Sequence, residues 1–393
     1  MPQRVRVLLI IPHLGNGGAE QVMSLLARSL SPEKYELHLG LMAQRDAPQH
    51  GLPVEVRIHA LGGVRVRHGA LRLLRLVRNL RPRVILSGMA HLNFLVLLLR
   101  PLFPRGTRVL VRQNATVSAA LAFGGQPRCT RLLYRLLYRR ADWVICQSRA
   151  MAEDLVKELQ MEWERIAVLP NPVDRKRIEA AANSQSVWTG RGPHLLVVGR
   201  LSREKGFDLL LEALAKVRNR YPEADLLAAG AGPEETALKT QCKLLGLEEA
   251  VRFAGYVEQV YALYSGASVF VLPSRHEGMP NALLEAALGG LPLVALPCSG
   301  GVMDLLRVMP GAWLASEVSS RALAETLMEA LGMLEPGERF ERVFRADIAP
   351  KGTAPKGLEN GAERLKGADE FAFEHAIDSY EELIDLTCAQ RRG

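Results

Sequence analysis

The chain has 393 residues, of which 48% are apolar and 23% are charged, and this predicts a globular protein of two or three domains. These values exclude a disordered or collagen-like chain, and five cysteines are too few for a disulfide-stapled one. The formal net charge of +8 is unevenly distributed, because residues 1–170 carry a net +14 and the remainder carries −6.

The cysteines and the apolar runs bear on the cellular compartment. The five cysteines form no C-x-x-C pair, so we expect reduced thiols, no zinc ribbon and a cytoplasmic protein. The first apolar run, Val7–Ile11, lacks a cleavage site and predicts a buried strand rather than a signal peptide. The longest run, Leu92–Leu99, is far shorter than the roughly 20 residues that cross a bilayer, so no membrane span is expected.

Strand-like and helical segments alternate through the first half of the chain. The strand-like runs are Val5–Ile11, Glu36–Met42, Arg83–Ser87, Arg108–Arg112 and Trp143–Gln147. Helical patterns lie between them, at Glu20–Leu30, in an Arg-rich segment and from about Leu92. Short apolar runs without polar alternation are typical of strands buried on both faces of a parallel sheet. Their alternation with helices predicts a doubly wound sheet.

The alternation lapses after Pro170-Asn171-Pro172, and we interpret residues 176–192 as a linker between domains 1–175 and 193–370. It resumes with strand-like runs at Leu195–Gly199, Ala224–Ala229, Val251–Phe253, Ser268–Pro273 and Leu293–Leu296. Intervening helices are predicted near Gly206–Asn219, Glu234–Leu245, Gln259–Ser265 and from Pro280. The predicted fold class is therefore α/β, with two doubly wound units in tandem. Residues 348–368, rich in Gly, Pro and Lys, are expected to be an exposed insertion before a helix at Phe371–Leu386.

Two Arg-rich stretches, Arg65–Arg83 and Arg128–Arg140, have the pattern of basic amphipathic helices. Such a helix can bury its leucines on a sheet and keep its arginine heads in water. It can also dock on anionic lipid head groups, to which each basic side chain adds about 1 kcal/mol. A nucleic-acid surface is less favoured, because no recognisable motif accompanies the charge and only 6% of residues are aromatic.

The strongest chemical signal is the stretch Ser274–Glu285, in which a strand is followed by a loop and then by a helix. Pro280 is predicted at the first helical position, where its missing N–H costs nothing. The nearby N–H groups of Gly278, Met279 and Asn281 would then face an anion at the positive end of the helix. Glu277 and Glu285 can bind hydroxyl groups of a ligand by accepting charge-assisted hydrogen bonds from them. The alternative is that these carboxylates only stabilise the helix dipole.

Three further loops follow strands of the second half. Arg200 and Lys205 lie at the expected carboxyl edge of the sheet, where two cations suit a diphosphate, although a solvated pair is the alternative. The glycines of Gly230–Gly232 are individually a weak signal. The run Ser299–Asp304 can either offer N–H groups to a phosphate or be an ordinary loop.

The first half carries weaker signals. Gly15, Gly17 and Gly18 follow the first strand, but their spacing is not G-x-G-x-x-G and no strand-end acid follows about 20 residues later. A site for a nicotinamide dinucleotide is therefore not supported. His91 follows a predicted strand, although a lone histidine is usually structural.

The motifs together resemble the family 4 retaining glycosyltransferases of the GT-B fold, over nearly the whole chain. The motifs that carry the resemblance are Gly17–Glu20 (GGAE), Asn171–Asp174 (NPVD), Gly199–Gly206 (GRLSREKG), Gly230–Pro233 (GAGP) and Glu277–Ala295. The resemblance implies two Rossmann-like domains that face each other across a cleft. It also implies an acceptor-binding first domain, a nucleotide-sugar-binding second domain, and a C-terminal helix, within residues 371–393, that crosses back to the first.

The resemblance assigns roles to the predicted site residues of the second domain. Arg200 and Lys205 are expected to hold the donor diphosphate, and Glu285 the ribose. Glu277 is expected to act as the catalytic group that binds the donor sugar. The backbone N–H groups expected to assist it belong to Gly278, Met279 and Asn281.

In the first domain, the resemblance implies that Gly17 and Gly18 allow close approach to the diphosphate and that His91 lies near the transferred sugar. It implies no cofactor and no metal ion, and the chain has no D-x-D run of the metal-dependent type. Asp304 is a departure, because the family usually has Glu there.

The function expected from the sequence is transfer of a sugar from a nucleotide donor, with UDP favoured, to a lipid-linked or cell-surface glycan at the inner face of an anionic membrane. Transfer to a soluble acceptor is an alternative. So is a non-catalytic protein that binds nucleotide sugars or anionic lipids. An epimerase of the same fold is less favoured, because the Arg200/Lys205 and Glu277/Glu285 set suits a transferase better.

Overall fold

The computed structural model describes residues 4–15, 17–42, 52–62, 66–123, 127–181, 187–190, 192–258, 260–298, 300–309, 311–334 and 375–389. The chain forms two compact units. The first comprises Met1–Pro172 together with Gly352–Gly393, and the second comprises Val173–Lys351.

The first unit is built on a parallel sheet. Its strands are β1 (Val5–Ile11), β2 (Tyr35–Leu41), β3 (Arg57–Ala60), β4 (Val84–Ser87), β5 (Arg108–Arg112), β6 (Trp143–Cys146) and β7 (Ile166–Val168). Its helices are α1 (Gly18–Ser29), α2 (Val66–Leu80), α3 (Ala90–Leu99), α4 (Val117–Phe123), α5 (Pro127–Tyr138), α6 (Arg149–Leu159) and, at the C-terminal end, α14 (Ala376–Ala389). The strand order β3-β2-β1-β4-β5-β6-β7 reverses direction between β1 and β4.

Both faces of this sheet are covered, as the unbroken apolar strand runs predict. Along β1, Leu8 and Ile10 pack into the cluster that includes residues of α2, α3 and α5. Val7 and Leu9 face the other way, into the cluster that includes α1 and α14. Because successive side chains of a strand point to opposite faces of the sheet, β1 contributes residues to two separate hydrophobic cores.

The C-terminal helix α14 packs on the first unit. Its Tyr380, Leu383 and Ile384 are buried in the core beneath β1 and α1. Glu381 accepts a hydrogen bond from the backbone N–H of Ser31 at 2.8 Å. The predicted return of the last helix to the first domain is confirmed, although the first residues of the predicted helix, 371–374, and the predicted insertion 348–368 lie outside the described ranges.

The second unit holds another parallel sheet. Its strands are β8 (His194–Val198), β9 (Asp225–Ala229), β10 (Val251–Gly255), β11 (Val269–Leu272), β12 (Leu293–Ala295) and β13 (Ala312–Leu314). Its helices are α7 (Arg175–Ala181), α8 (Phe207–Val217), α9 (Glu235–Leu244), α10 (Tyr261–Tyr264), α11 (Asn281–Leu288), α12 (Val302–Val308) and α13 (Ser320–Met333). The order β10-β9-β8-β11-β12-β13 reverses between β8 and β11, so the fold class of two Rossmann-like α/β domains is confirmed.

The predicted linker contains a helix. Residues 175–181 form α7, because Asp174 accepts a hydrogen bond from the backbone N–H of Arg177 and Ile178 is buried. The predicted strands also omit β3, β7 and β13. Each has only three or four residues, and the edge strands β3 and β13 also contain no fully buried residue that would mark a buried strand.

The two Arg-rich stretches form helices α2 and α5 as predicted, but some of their leucines are exposed. Leu71 is 67% exposed, and Leu132 and Leu136 are each 58% exposed. The inward positions of α5 are occupied by Tyr134, Leu137 and Tyr138, and the two tyrosine rings pack against Phe94. No helix in the described part of the chain is long and apolar enough to span a membrane.

Candidate functional site

Four loops meet at the carboxyl edge of the sheet in the second unit, around the reversal between β8 and β11. They follow β8, β9, β11 and β12, and backbone hydrogen bonds join them. Leu201 after β8 donates to Ala231 after β9 at 3.2 Å, and Arg275 after β11 donates to Glu204 at 2.8 Å. Because ligands bind outside the carboxyl ends of strands where the order reverses, this rim is the candidate site.

Glycines make this close approach of backbones possible. Gly206 has φ +66°, and a Cβ there would lie 1.9 Å from the carbonyl oxygen of Pro273. Gly230 has φ +148°, and a Cβ there would lie 1.7 Å from the carbonyl oxygen of Gly199. No other residue fits either position, so both glycines fix the geometry of the rim, including Gly230, which was a weak signal in the sequence.

Two of the predicted site residues contact each other across this rim. The Lys205 Nζ lies 2.6 Å from the Glu277 Oε1, and the Ser274 hydroxyl donates to the same oxygen at 2.7 Å. The Glu277 side chain is only 8% exposed and that of Lys205 is 27% exposed. The pair is therefore partly shielded from water, which strengthens its attraction relative to a surface pair. Arg200, on the same loop as Lys205, is exposed.

The loop that carries Glu277 is held in place from the other side. Arg275 forms a two-pronged ion pair with Asp208 at the start of α8, with both N–O distances 2.7 Å. Gly301 donates its N–H to the carbonyl oxygen of Gly278 at 3.3 Å. These contacts anchor both neighbours of His276-Glu277 and so restrict where the Glu277 carboxylate can lie.

Helix α11 begins immediately after this loop. Pro280 is its N-cap and Asn281 its first residue, so the predicted helix start was wrong by one position. The prediction failed because Pro280 has ψ 116°, an extended value. The proline still precedes the first turn, and the N-terminal end of the helix lies next to the buried Gly278 and Met279. Backbone N–H groups at such an end can receive an anion.

Glu285 lies one turn further into α11 and is buried. The Tyr264 hydroxyl donates to its Oε2 at 2.9 Å. Burial raises the pKa of Glu285 to about 7; the bond from Tyr264 acts to lower it, and the charge of Asp174 acts to raise it. The carboxylate is therefore held ready to accept hydrogen bonds, at a cost in desolvation that a hydroxyl-bearing ligand would offset.

The remaining predicted residues lie in the first unit, at its own strand-order reversal. Gly17 is the N-cap of α1 and Gly18 its first residue, directly after β1. His91 lies in the first turn of α3, after β4. Surrounding protein lowers the pKa of His91, while the charge of Glu20 in α1 acts to raise it. The structure thus brings the glycine motif and His91 together at one edge.

Sequence reasoning missed several residues of the rim. Tyr264 lies in the four-residue helix α10, and nothing in its neighbourhood of the sequence marks it as the partner of Glu285. Ser274 was part of the quoted motif but had no role there, although its position three residues before Glu277 allows the observed bond. Ser299 and the side chain of Asp304 lie outside the described residues, so the predicted phosphate role of that run stays a prediction.

Two family models match the chain. "Glycosyltransferase Family 4" matches residues 16–177, and "Glycosyl transferases group 1" matches residues 192–332. The two matches cover the two units separately, and together they span well over half of the chain. The chain belongs to glycosyltransferase family 4.

Curated relatives of this glycosyltransferase carry compatible names. An uncharacterized glycosyltransferase of Haemophilus influenzae is 40% identical over 28% of this chain and 32% of its own length. A second relative, from Campylobacter jejuni, is 28% identical over 76% of this chain and 82% of its own length. It is named N-acetylgalactosamine-N,N'-diacetylbacillosaminyl-diphospho-undecaprenol 4-alpha-N-acetylgalactosaminyltransferase.

Solved structures agree on the fold. Anabaena HepE in complex with UDP aligns over 98% of this glycosyltransferase and 100% of its own chain, with a TM-score of 0.68 and 16% identity. Sucrose-phosphate synthase of Thermosynechococcus elongatus aligns over 98% and 99%, with a TM-score of 0.77 and 17% identity. At such low identity these alignments establish the GT-B fold of the glycosyltransferase and nothing finer.

Proposed function

We propose that the chain is a retaining, metal-independent glycosyltransferase. It moves a sugar from a nucleotide sugar, with UDP as the expected nucleotide, to a lipid-linked or cell-surface glycan. No cofactor takes part. The observation that carries the proposal is the partly buried Lys205–Glu277 pair beside the N-terminal end of α11, at the edge where this fold binds ligands.

The rim suits a donor with a diphosphate. When the bond between the sugar and the diphosphate breaks, negative charge develops on the leaving phosphate. Lys205, Arg200 and the backbone N–H groups near Gly278, Met279 and Asn281 offer positive charge or donors to it. Because Lys205 and the backbone N–H groups are already held in the joined loops, they need little reorganisation as the charge develops.

Carboxylates of the rim suit the sugar and the ribose. Glu277 accepts hydrogen bonds from a donor-sugar hydroxyl and aligns Lys205 toward the phosphate. Glu285, in its ionised form, accepts bonds from the ribose hydroxyls, and Tyr264 orients it. The leaving phosphate oxygen takes the proton of the acceptor hydroxyl, so retention requires no nucleophilic carboxylate on the reacting face.

Acceptor binding belongs to the first unit in this proposal. Gly17 and Gly18 leave room for the diphosphate, and His91 hydrogen-bonds the transferred sugar. The exposed leucines and arginines of α2 and α5 dock on an anionic membrane surface, because apolar side chains and positive charge attract such a surface together. This placement gives the enzyme a peripheral location at the inner membrane face.

The names of several relatives support an acceptor of the cell envelope. The Campylobacter relative is named for a diphospho-undecaprenol-linked acceptor. A Rhizobium meliloti relative, 27% identical over 65% of this chain and 66% of its own length, is named a lipopolysaccharide core biosynthesis glycosyltransferase. We therefore propose a role in the synthesis of polysaccharide or lipopolysaccharide.

A nucleotide-release screen tests the proposal. UDP-, GDP- and ADP-sugars are incubated with the protein, with and without membrane extract as acceptor. We expect UDP release from one donor, and only when acceptor is present. Folded protein that releases no nucleotide from any donor with extract present would favour the non-catalytic binding protein instead.

Substituting Glu277 tests its assigned role. We expect Glu277→Ala to lower turnover at least about tenfold, which corresponds to about 1.4 kcal/mol of transition-state stabilisation. Glu249→Ala, at an exposed carboxylate after α9, is the control and should leave turnover unchanged. Unchanged turnover in a folded Glu277→Ala protein would remove Glu277 from the mechanism.

A further inference from the structure

An arginine-lined cavity of about 390 Å³ lies in the first unit, away from the residues assigned above. Its walls include Arg100, Arg105 and Arg140, with Phe103 and Pro104 between them. It lies where α3 and α5 end and β5 begins, at the amino edge of the sheet. His91 and the glycine motif lie at the opposite, carboxyl edge.

The positive charge of this cavity is only partly neutralised by the described residues around it. Asp142 pairs with Arg100 at 2.6 Å and with Arg108 at 3.0 Å. Its Oδ2 also accepts the backbone N–H of Val109 at 2.8 Å. Asp142 therefore serves three donors already. Among the described residues, no carboxylate pairs with Arg105 or with Arg140.

Helix capping does not account for these arginines. Cations are favoured at the C-terminal ends of helices, and Arg140 reaches the carbonyl oxygen of Leu97 in α3 at 3.4 Å. That contact uses one of the five N–H donors of the guanidinium and leaves its charge uncompensated. Arg105 follows the short 3-10 turn after α3 and lies in an exposed position.

Exposed leucines lie close in sequence to the residues that line the cavity. Leu98 is 59% exposed and Leu102 is 50% exposed, on either side of Arg100. Leu136, 58% exposed, lies near the end of α5, four residues before Arg140 in the sequence. Such leucines can enter the acyl region of a membrane surface, while the arginines of the cavity contact the phosphates of its head groups.

We propose that this cavity binds the phosphate of an anionic phospholipid head group. Arginine forks bind phosphate oxygens in pairs, and the flanking leucines enter the acyl boundary. The proposal rests on the membrane docking proposed above and deepens it. The arginines of α2 and α5 supply a diffuse attraction, and this cavity supplies a defined contact that sets the orientation of the first unit on the membrane.

Vesicle flotation of the full chain tests the cavity. The vesicles contain phosphatidylcholine alone or phosphatidylcholine with phosphatidylglycerol. The test variant is Arg105→Glu with Arg140→Glu. The control is Arg220→Glu with Arg252→Glu, which changes the net charge equally on the second unit. With about 1 kcal/mol from each basic side chain, the test variant should lose at least about thirtyfold in affinity for the anionic vesicles, and the control less than about twofold.

Other results would overturn the proposal. Equal losses in both double variants would mean that only net charge matters. Wild-type protein that does not bind anionic vesicles at low salt would reject both the cavity and the membrane docking. Stabilisation of the wild type by inorganic phosphate, absent from the test variant, with flotation of that variant unchanged, would identify free phosphate as the ligand.

Nucleotide release separates this proposal from the proposed function. The test variant should keep wild-type release of nucleotide with a soluble glycan acceptor, and this also establishes that the variant is folded. If the wild type binds vesicles through the cavity but releases no nucleotide from any donor, the transferase proposal fails and the head-group proposal stands.

Discussion

The rim of the second unit and the leucine–arginine face of the first unit differ in how tightly their atoms are packed. In the rim, backbones approach so closely that only glycine fits, and Lys205 and Glu277 lie 2.6 Å apart. On the face formed by α2, α3 and α5, leucines remain exposed and several arginines lack an acidic partner among the described residues. The rim is therefore closely packed around an ion pair, whereas the face leaves apolar and cationic side chains exposed.

This difference has an energetic consequence. A side chain added to the rim meets backbone atoms, so it disturbs both stability and the site. A side chain removed from the exposed face loses few contacts, so stability and function separate there. The same type of substitution should therefore cost much more unfolding free energy where the side chain contacts its surroundings than where it does not.

The largest expected effect comes from filling the closest backbone approach. Gly230→Ala should destabilise the second unit by about 4 kcal/mol or more, because its Cβ would lie 1.7 Å from a carbonyl oxygen at φ +148°. Gly246→Ala is the control, since Gly246 also has a positive φ, +66°, but no atom within 4 Å of the added Cβ. It should cost about 1 kcal/mol. Urea unfolding of both variants measures the difference in unfolding free energy. Similar losses in the two variants would mean that the loops around Gly230 can move to accommodate the added Cβ.

A smaller effect is expected from two adjacent leucines of α5. Leu137 is 5% exposed, so Leu137→Ala should cost about 3 kcal/mol from lost burial and the cavity left behind. Leu136 is 58% exposed, so Leu136→Ala should change the unfolding free energy by less than about 0.5 kcal/mol. The same two variants should rank in the opposite order in vesicle binding. A stability loss at Leu136 equal to that at Leu137 would place this face in a protein interior.

Local pattern was sufficient to predict the fold class and the strand-end loops that form the rim. Buried parallel strands have unbroken apolar runs, and β1 and β5 were predicted with the bounds that the structure has. Arg200, Lys205 and Glu277 could be singled out because each lies in a loop that follows a recognisable strand, and the start of α11 was predicted to within one residue for the same reason. In these cases the sequence pattern and the strand or loop that it predicts lie within the same few residues.

Contacts between distant segments could not be predicted. Lys205 and Glu277 are 72 residues apart, and Tyr264 and Glu285 are 21 apart, so no local spacing indicates either pair. The exposure of Leu136 also could not be predicted from the local sequence. Helical periodicity gives two possible buried faces in α5, and the rings of Tyr134 and Tyr138 decide between them by packing on Phe94.

The smallest expected effect concerns the buried carboxyl group of the rim and is visible only as a pH dependence. Burial raises the pKa of Glu285 from 4.5 to about 7. The folded state therefore holds a proton that the unfolded chain has released, and the contribution of Glu285 to stability falls as the pH rises from about 4.5 to about 7. Glu285→Gln removes this loss, because the amide does not titrate and its oxygen can still accept from Tyr264.

The Gln variant should thus exceed the wild type in unfolding free energy by about 2 kcal/mol at pH 8, since a shift of this size is worth about 3 kcal/mol and one unpaired amide donor costs about 1. At pH 4 the gain should vanish or reverse. Glu249→Gln, at an exposed carboxylate, should show no such pH dependence. If both Gln variants have the unfolding free energy of the wild type at pH 4 and at pH 8, Glu285 is solvated in the folded protein. The rim would then be more open to water than its hydrogen-bonded loops indicate.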